Sequence, residues 1–239
     1  MLLEISNLFK SFGGLLAISE LSFAVGEGEI IGLIGPNGSG KTTLFNLISG
    51  LLKPDTGNIR FDGKDVTGLP PDKICRSGIA RTFQLTKPFM RMTLLQNVIV
   101  GILYGSNLAW KTWQAREEAE RILAFTGLSG KHVPMAAMLG LVDRKRLELA
   151  RALATRPKLL LLDEMMAGLN PAEIENAMQL VKRVRDTGIT LIVVEHVMKA
   201  VLGISDRVVV VSAGKKIAEG KPQEVVCNKQ VIEAYLGEE

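Results

Sequence analysis

"EIIGLIGPNGSGKTT", residues 29–43, decides the fold. Its first half is an unbroken apolar run of strand length, the pattern of a strand buried on both faces. Its second half fits G-x-x-x-x-G-K-[ST] from Gly35 to Thr42. Glycines let successive backbone N–H groups turn inward around phosphate oxygens, and the helix that follows aims its positive end at them. Lys41 can reach the β- and γ-phosphates, and the Thr42 hydroxyl suits magnesium. Gly35, Asn37, Gly38, Ser39, Gly40, Lys41, Thr42 and Thr43 are therefore candidate nucleotide ligands. Glycine and lysine would also suit a plain turn before a surface helix, but the order strand, loop, helix argues for nucleotide.

Working outward, apolar runs of strand length alternate with helical patterns, which predicts an α/β fold with a mostly parallel sheet. The clearest further strands are "LLLLD" (159–163), "ITLIVVE" (189–195) and "RVVVVSAG" (207–214). "LLEISNLFKSF", "LSFAV" and "NIRFDG" predict an antiparallel β edge region. "NPAEIENAMQLVKRVRDTG" opens a helix with Asn170 as N-cap, Pro171 at the first position and Glu173 in capping-box spacing. Its apolar stripe is Ile174, Ala177, Met178, Val181 and Val184. Between residues 87 and 156 the text turns to helices and short loops, which predicts a helical subdomain inserted into a nucleotide-binding core of residues 1–86 and 157–239. One domain of 239 residues results.

"LLLLDE" ends in Asp163 and Glu164, where one carboxylate can organise magnesium and the next can polarise water. Beside the phosphate loop, this pair favours hydrolysis over nucleotide binding alone. Bulk composition is that of an ordinary soluble globular chain, with 47% apolar and 23% charged residues. A net charge of +4 is modest and does not argue for nucleic acid. Cys75 and Cys227 stand in no metal-ligand spacing and read as reduced thiols. The opening "MLLEISNLFK" has neither a basic stretch nor a long apolar one, so no signal peptide is expected. No apolar run is long enough to span a bilayer. If the protein works at a membrane, another chain provides the membrane part.

With these motifs in place, the chain resembles the ATP-binding cassette (ABC) ATPases over nearly its whole length. The Walker A loop is 35–43, the Q-loop glutamine matches Gln84 in "ARTFQ", and Walker B is "LLLLDE". "AGLN" at 167–170 matches the D-loop and His196 in "VVEH" the switch histidine. The adenine-stacking aromatic matches Phe12 in "KSFGG". "TGLPPDKICRSGIARTFQ", "MTLLQNVIVG", "AGLNPAE" and "VIEAYLG" resemble ATPase subunits of branched-chain amino-acid importers, although lipid exporters share parts of this wording.

The resemblance implies ATP and Mg2+ as cofactors, with two cassettes paired head to tail around two ATP molecules. Glu164 would activate water, and His196 would contact the γ-phosphate. Gln84 would sense magnesium and water and link core to helical lobe. Asp163, with Thr42, would hold the metal. The implied partners are a second ABC ATPase chain, most simply as a heterodimer with a homodimer left open, and transmembrane permease subunits. A solute-binding protein would act indirectly, and no nucleic acid is involved. The implied place is the cytoplasmic face of the cell membrane, peripherally bound. Phe89, Met90 and Met92 in "LTKPFMRMTLLQNV" are expected to face the permease, with Thr93 and Gln96 as the capping box of the next helix.

The family's signature occupies Leu139, Gly140, Leu141, Val142 and Asp143, with Gly140, Val142 and Asp143 where Ser, Gly and Gln are usual. Met165 replaces the usual proline after Walker B and should loosen that turn. Asn170 replaces the D-loop aspartate. Asp143 is expected either to repel phosphate or to cap a helix starting at Arg144. Both readings weaken the half-site offered to a partner chain and predict unequal sites. The alternative is a hydrolysis-poor regulatory subunit, against which the intact Glu164 and His196 argue. His132 is left structural.

Overall fold

The computed structural model describes residues 1–83, 88–105, 110–130 and 135–236. The chain opens with β1 (Leu3–Phe12) and β2 (Leu15–Val25), an antiparallel pair. β3 (Ile30–Ile34) enters a second sheet and feeds α1 (Lys41–Ile48). β4 (Thr56–Phe61) and the two-residue β5 (Lys64–Asp65) return to β1. The first sheet thus runs β2-β1-β4-β5 and is antiparallel throughout, as expected of this region.

After α2 (Pro71–Ser77) and β6 (Ile79–Arg81) come the helices α3 (Leu94–Tyr104), α4 (Thr112–Phe125) and α5 (Leu141–Ala154). The chain then alternates: β7 (Leu159–Asp163), α6 (Pro171–Asp186), β8 (Thr190–Val194), α7 (Met198–Ile204) and β9 (Arg207–Ser212). It closes with β10 (Lys215–Gly220), α8 (Pro222–Val226) and α9 (Lys229–Leu236). The second sheet runs β10-β9-β3-β8-β7-β6, parallel at every pair except β9 with β10.

Alternation of side chains across the pleat explains why its strands are apolar at every position. Ile31, Leu33, Leu159, Leu161, Ile192 and Val194 point into the layer shared with the antiparallel sheet and α1. Their neighbours Ile30, Leu160, Leu162, Leu191 and Val193 point the other way, against α6 and α7. Helix α6 carries the expected cap: Asn170 Oδ1 accepts from Glu173 N–H at 3.0 Å, and Glu173 Oε2 accepts from Asn170 N–H at 2.9 Å. Ala177, Met178, Val181 and Val184 are buried as the stripe requires.

Three strands escaped the sequence, the two-residue β5 among them. β6 is only "IAR", and β10 is a polar edge strand, "KKIAEG", whose lysines and glutamate suit an unpaired edge. Helices α3, α4 and α5 share their own apolar cluster, with Leu94, Val98, Ala119, Leu147 and Ala150 at its centre. Thr93 caps α3 reciprocally with Gln96, as the spacing predicts.

Candidate functional site

Strands β3, β8, β7 and β6 lie side by side and parallel, so their carboxyl ends open along one edge. In open α/β sheets ligands bind at that edge. β3 delivers the phosphate loop there, β7 delivers Asp163 and Glu164, and β8 delivers Glu195 and His196. β6 delivers Arg81.

The loop from Gly35 to Gly40 could not be built from other residues. Gly35 has φ +154, and a Cβ there would lie 1.9 Å from the Val211 carbonyl oxygen. Gly40, the residue before α1, has φ +107, and its Cβ would lie 2.5 Å from the Ala17 oxygen. Glycine alone permits both the turn and the close approach. The buried Lys41 ammonium donates to Gly35 O and Pro36 O, each at 2.7 Å, and to Ser39 Oγ at 3.2 Å. Its charge is thereby held within the loop's curl, where phosphate oxygens would compete for it. Asn37, Gly38 and Thr42 are exposed, and Thr43 is half-buried at the start of α1. Gly214 ties this loop to the antiparallel sheet, donating to Ser39 O at 3.0 Å and accepting from Ser19 N–H at 2.9 Å. Phe12, at the end of β1, is 45% exposed, with the Lys10 ammonium 5.6 Å from its ring centre.

Asp163 and Glu164 are adjacent in sequence but occupy different settings. The Asp163 carboxylate pairs with Arg81 at 2.7 Å, and both side chains are buried, at 5% and 6% exposure. Arg81 also donates to Asn46 Oδ1 on α1 at 2.6 Å and stacks on Phe45 and Phe83. It therefore joins the phosphate-loop helix to the end of β7. Glu164 has φ +50, a left-handed conformation that costs a non-glycine residue about 1 kcal/mol or more. Its Oε1 lies 2.8 Å from His196 Nε2, so the ring N–H can donate to it.

Behind Glu164 lies a second carboxylate. Glu195 is 3% exposed, and its Oε1 accepts from Met166 N–H at 2.6 Å. Burial, only partly opposed by that N–H and by the Lys145 charge, pushes its carboxyl up to about 7. Lys145, from α5, donates to the Glu164 carbonyl at 2.8 Å. Burial lowers its ammonium, against the opposing pull of Glu195 and Glu164.

A carboxylate and a hydroxyl, Asp163 and Thr42, are hard oxygen donors of the kind magnesium takes alongside phosphate and water. Among the described residues no three His, Cys, Asp or Glu side chains cluster into a protein-only metal cage.

At the signature the helix start differs from the expectation for Asp143. α5 begins at Leu141, with Gly140 as its N-cap residue, not at Arg144. Gly140 O accepts from Arg144 N–H at 3.0 Å, which places Leu141, Val142 and Asp143 in the first turn. Asp143 thus sits where the helix dipole favours a negative charge, 3.7 Å from Arg146. Leu139 is buried, while Gly140 and Leu141 are exposed. Gly140 has no positive φ, and a Cβ there would meet nothing within 4 Å.

The structure brings the phosphate loop, Asp163, Glu164 and His196 to one sheet edge. Gln84 and His132 lie outside the described residues. Sequence reading missed Arg81, Lys145 and Glu195. All three stand within or beside quoted motifs, but nothing in their spacing shows that they meet across the fold. The turn after Walker B is held by Met165 and Met166, both buried, and by the Lys145 and Glu195 bonds. The looseness expected there without proline is offset by these contacts.

Comparison with known proteins agrees with this geometry. A family model described as "ABC transporter" matches residues 18–167, and one described as "Branched-chain amino acid ATP-binding cassette transporter" matches residues 215–239. The chain is 39% identical to a high-affinity branched-chain amino acid transport ATP-binding protein of Pseudomonas aeruginosa, over 99% of this chain and 98% of that one. The counterpart from Salmonella typhimurium is 40% identical with the same coverage. Among solved structures, a cassette of an ABC transporter in its ADP conformation superposes with TM-score 0.90 at 36% identity, covering 99% of both chains. A dimeric cassette bound to ADP and phosphate superposes with TM-score 0.83 at 26% identity, covering 92% of this chain and 98% of that one.

Proposed function

Because the chain belongs to the ABC transporter family and carries its ATP-binding cassette, we propose that it hydrolyses ATP to ADP and phosphate to energise import of branched-chain amino acids. The observation that carries the hydrolytic part is the Glu164–His196 pair, 2.8 Å apart at the strand edge that also bears the phosphate loop. The near full-length likeness to branched-chain amino acid transport ATP-binding proteins supports the substrate class.

In this reading the loop N–H groups and Lys41 hold the β- and γ-phosphates, and Phe12 stacks on adenine. Glu164 accepts the proton of the attacking water as its oxygen bonds to the γ-phosphorus and the bond to the β-phosphate oxygen breaks. His196 fixes the carboxylate through its N–H and faces the departing phosphate. Thr42 and Asp163 would hold magnesium, which would supply charge neutralisation for the phosphate oxygens. Gln84 senses the metal and water. Residues 87–156 act as the helical subdomain against a core of 1–86 and 157–239, a division supported by the separate apolar cluster of α3, α4 and α5.

The chain pairs head to tail with a second cassette, and its own segment 139–143 faces the partner's ATP. Gly140 in place of serine, Val142 in place of glycine and Asp143 in place of glutamine favour a slow partner-facing site beside a fast site on this chain's own Walker A. Among the described residues no helix is long and apolar enough to cross a membrane. The permease docks on this chain in this reading, and the exposed Phe89, Met90 and Met92 suit an adaptable contact. A peripheral position on the cytoplasmic face is the reading that the likeness to transport ATP-binding proteins supports.

The decisive test is Glu164→Gln in the assembled transporter. The amide keeps shape and hydrogen bonding but takes no proton, so turnover should fall roughly 10²–10⁴-fold with ATP binding retained. Near wild-type hydrolysis would overturn the reading. Crosslinks from Phe89 or Met92 to the permease are expected, and crosslinks only at distant faces would remove the docking assignment.

A further inference from the structure

We propose that Lys145 is a positioning residue for Glu164 and that, with Glu195, it clamps the turn after β7. The proposal rests on the hydrolytic reading above and extends it. Glu164 carries a left-handed backbone at φ +50, a conformation that persists only where surrounding structure enforces it. Three bonds enforce it. Glu164 N–H donates to Val194 O at 2.9 Å, which fixes one side of the peptide on β8. Lys145 Nζ donates to Glu164 O at 2.8 Å and fixes the other. Glu195 Oε1 accepts from Met166 N–H at 2.6 Å two residues on.

The clamp is buried, which is why it is strong enough to matter. Lys145 is 8% exposed and Glu195 3% exposed, and Glu195 Oε2 has no hydrogen-bond partner among the described residues. A lysine taken this far out of water would not be retained for solubility. Lys145 and Glu195 each hold a different backbone group of one turn, and the Lys145 charge offsets part of the burial that raises the Glu195 carboxyl. With Met165 in place of a stiff proline, these side-chain bonds supply the rigidity.

Lys145 also belongs to the helix whose first residues form the signature. Gly140 precedes Leu141 at the start of α5, and Lys145 lies four residues after Leu141, about 6 Å along the axis. Displacement of the signature end against a partner's nucleotide therefore moves the ammonium that holds this chain's own Glu164. The clamp links the two half-sites through one rigid element.

The test compares Lys145→Met with Lys145→Arg in the assembled transporter. Lys145→Met should lower kcat at least tenfold with KM for ATP within about twofold, and Lys145→Arg should restore most of the loss. Hydrogen exchange at the amides of residues 164–169, measured without nucleotide, should quicken about tenfold in Lys145→Met and less in Lys145→Arg. Should Lys145→Met fail to fold, Glu195→Gln takes its place. It keeps an acceptor for Met166 N–H but removes the charge, and the same kcat-against-KM split is expected in milder form. Unchanged exchange in Lys145→Met overturns the clamp. Quickened exchange with unchanged kcat overturns its role in positioning Glu164. Absence of hydrolysis in the wild-type complex overturns the hydrolytic reading instead, since the exchange measurement needs no ATP.

Discussion

The two regions proposed to face nucleotide, the strand edge and the start of α5, are built to different standards. At the strand edge the charged groups are held in place: Lys41 by Gly35 O, Pro36 O and Ser39 Oγ, Asp163 by a buried arginine, Glu164 by His196, Lys145 and β8. At the signature the residues stand on the exposed first turn of α5, and the one charged side chain among them leans on a partly exposed arginine 3.7 Å away. The contrast teaches where substitution is tolerated. A buried network transmits any change to the whole turn, whereas an exposed helix start absorbs one locally.

The comparison can be broken most forcefully at Arg81. Replacing it by Met leaves Asp163 buried without its counter-charge, and removing one partner of such a pair costs about 3–5 kcal/mol. Denaturant unfolding should show a loss of that order. A loss below about 1 kcal/mol would mean that the strand edge is no more tightly built than the signature.

A smaller effect tests Glu195. Its folded carboxyl, raised to about 7 from an ordinary 4.5, binds a proton that the unfolded chain has already released. The native state is therefore favoured below pH 4.5 and loses this contribution as pH rises toward 7, by at most about 3 kcal/mol. Glu195→Gln should remove that slope from the stability-against-pH curve. An unaltered slope would assign it to other groups.

At the signature end stability should hardly respond. Gly140→Ser enters open space at an N-cap position, where serine is preferred only slightly over glycine, and should be neutral or stabilising by about 0.3 kcal/mol. If the missing hydroxyl limits the partner-facing site, the same substitution should raise turnover there. That turnover is read with the partner's own Walker B glutamate intact and Glu164 replaced by Gln. Asp143→Gln should change stability by less than about 1 kcal/mol, because a partly exposed ion pair contributes little. Equal turnover losses from the two single Walker B glutamate mutants would erase the proposed inequality.

Local physics made much of this protein legible in the sequence. A strand buried on both faces must be apolar at every residue, so β3, β7, β8 and β9 announce themselves. A loop that turns backbone N–H groups inward must be glycine-rich, so Gly35 to Gly40 does as well. Capping boxes at Asn170 and Thr93 are three-residue events and were read correctly. Tertiary structure alone decided what meets at the strand edge. The order β9-β3-β8-β7-β6 sets β8 between the phosphate-loop strand and the Walker B strand, and no spacing encodes that neighbour relation. Arg81 and Asp163, Lys145 and Glu164, and Glu195 and Met166 are pairs of this kind, 82, 19 and 29 residues apart in the chain. The start of α5 at Leu141 was likewise beyond local reading. Asp143 is a good N-cap by type, but the backbone entering from buried Leu139 had already placed Gly140 in that position.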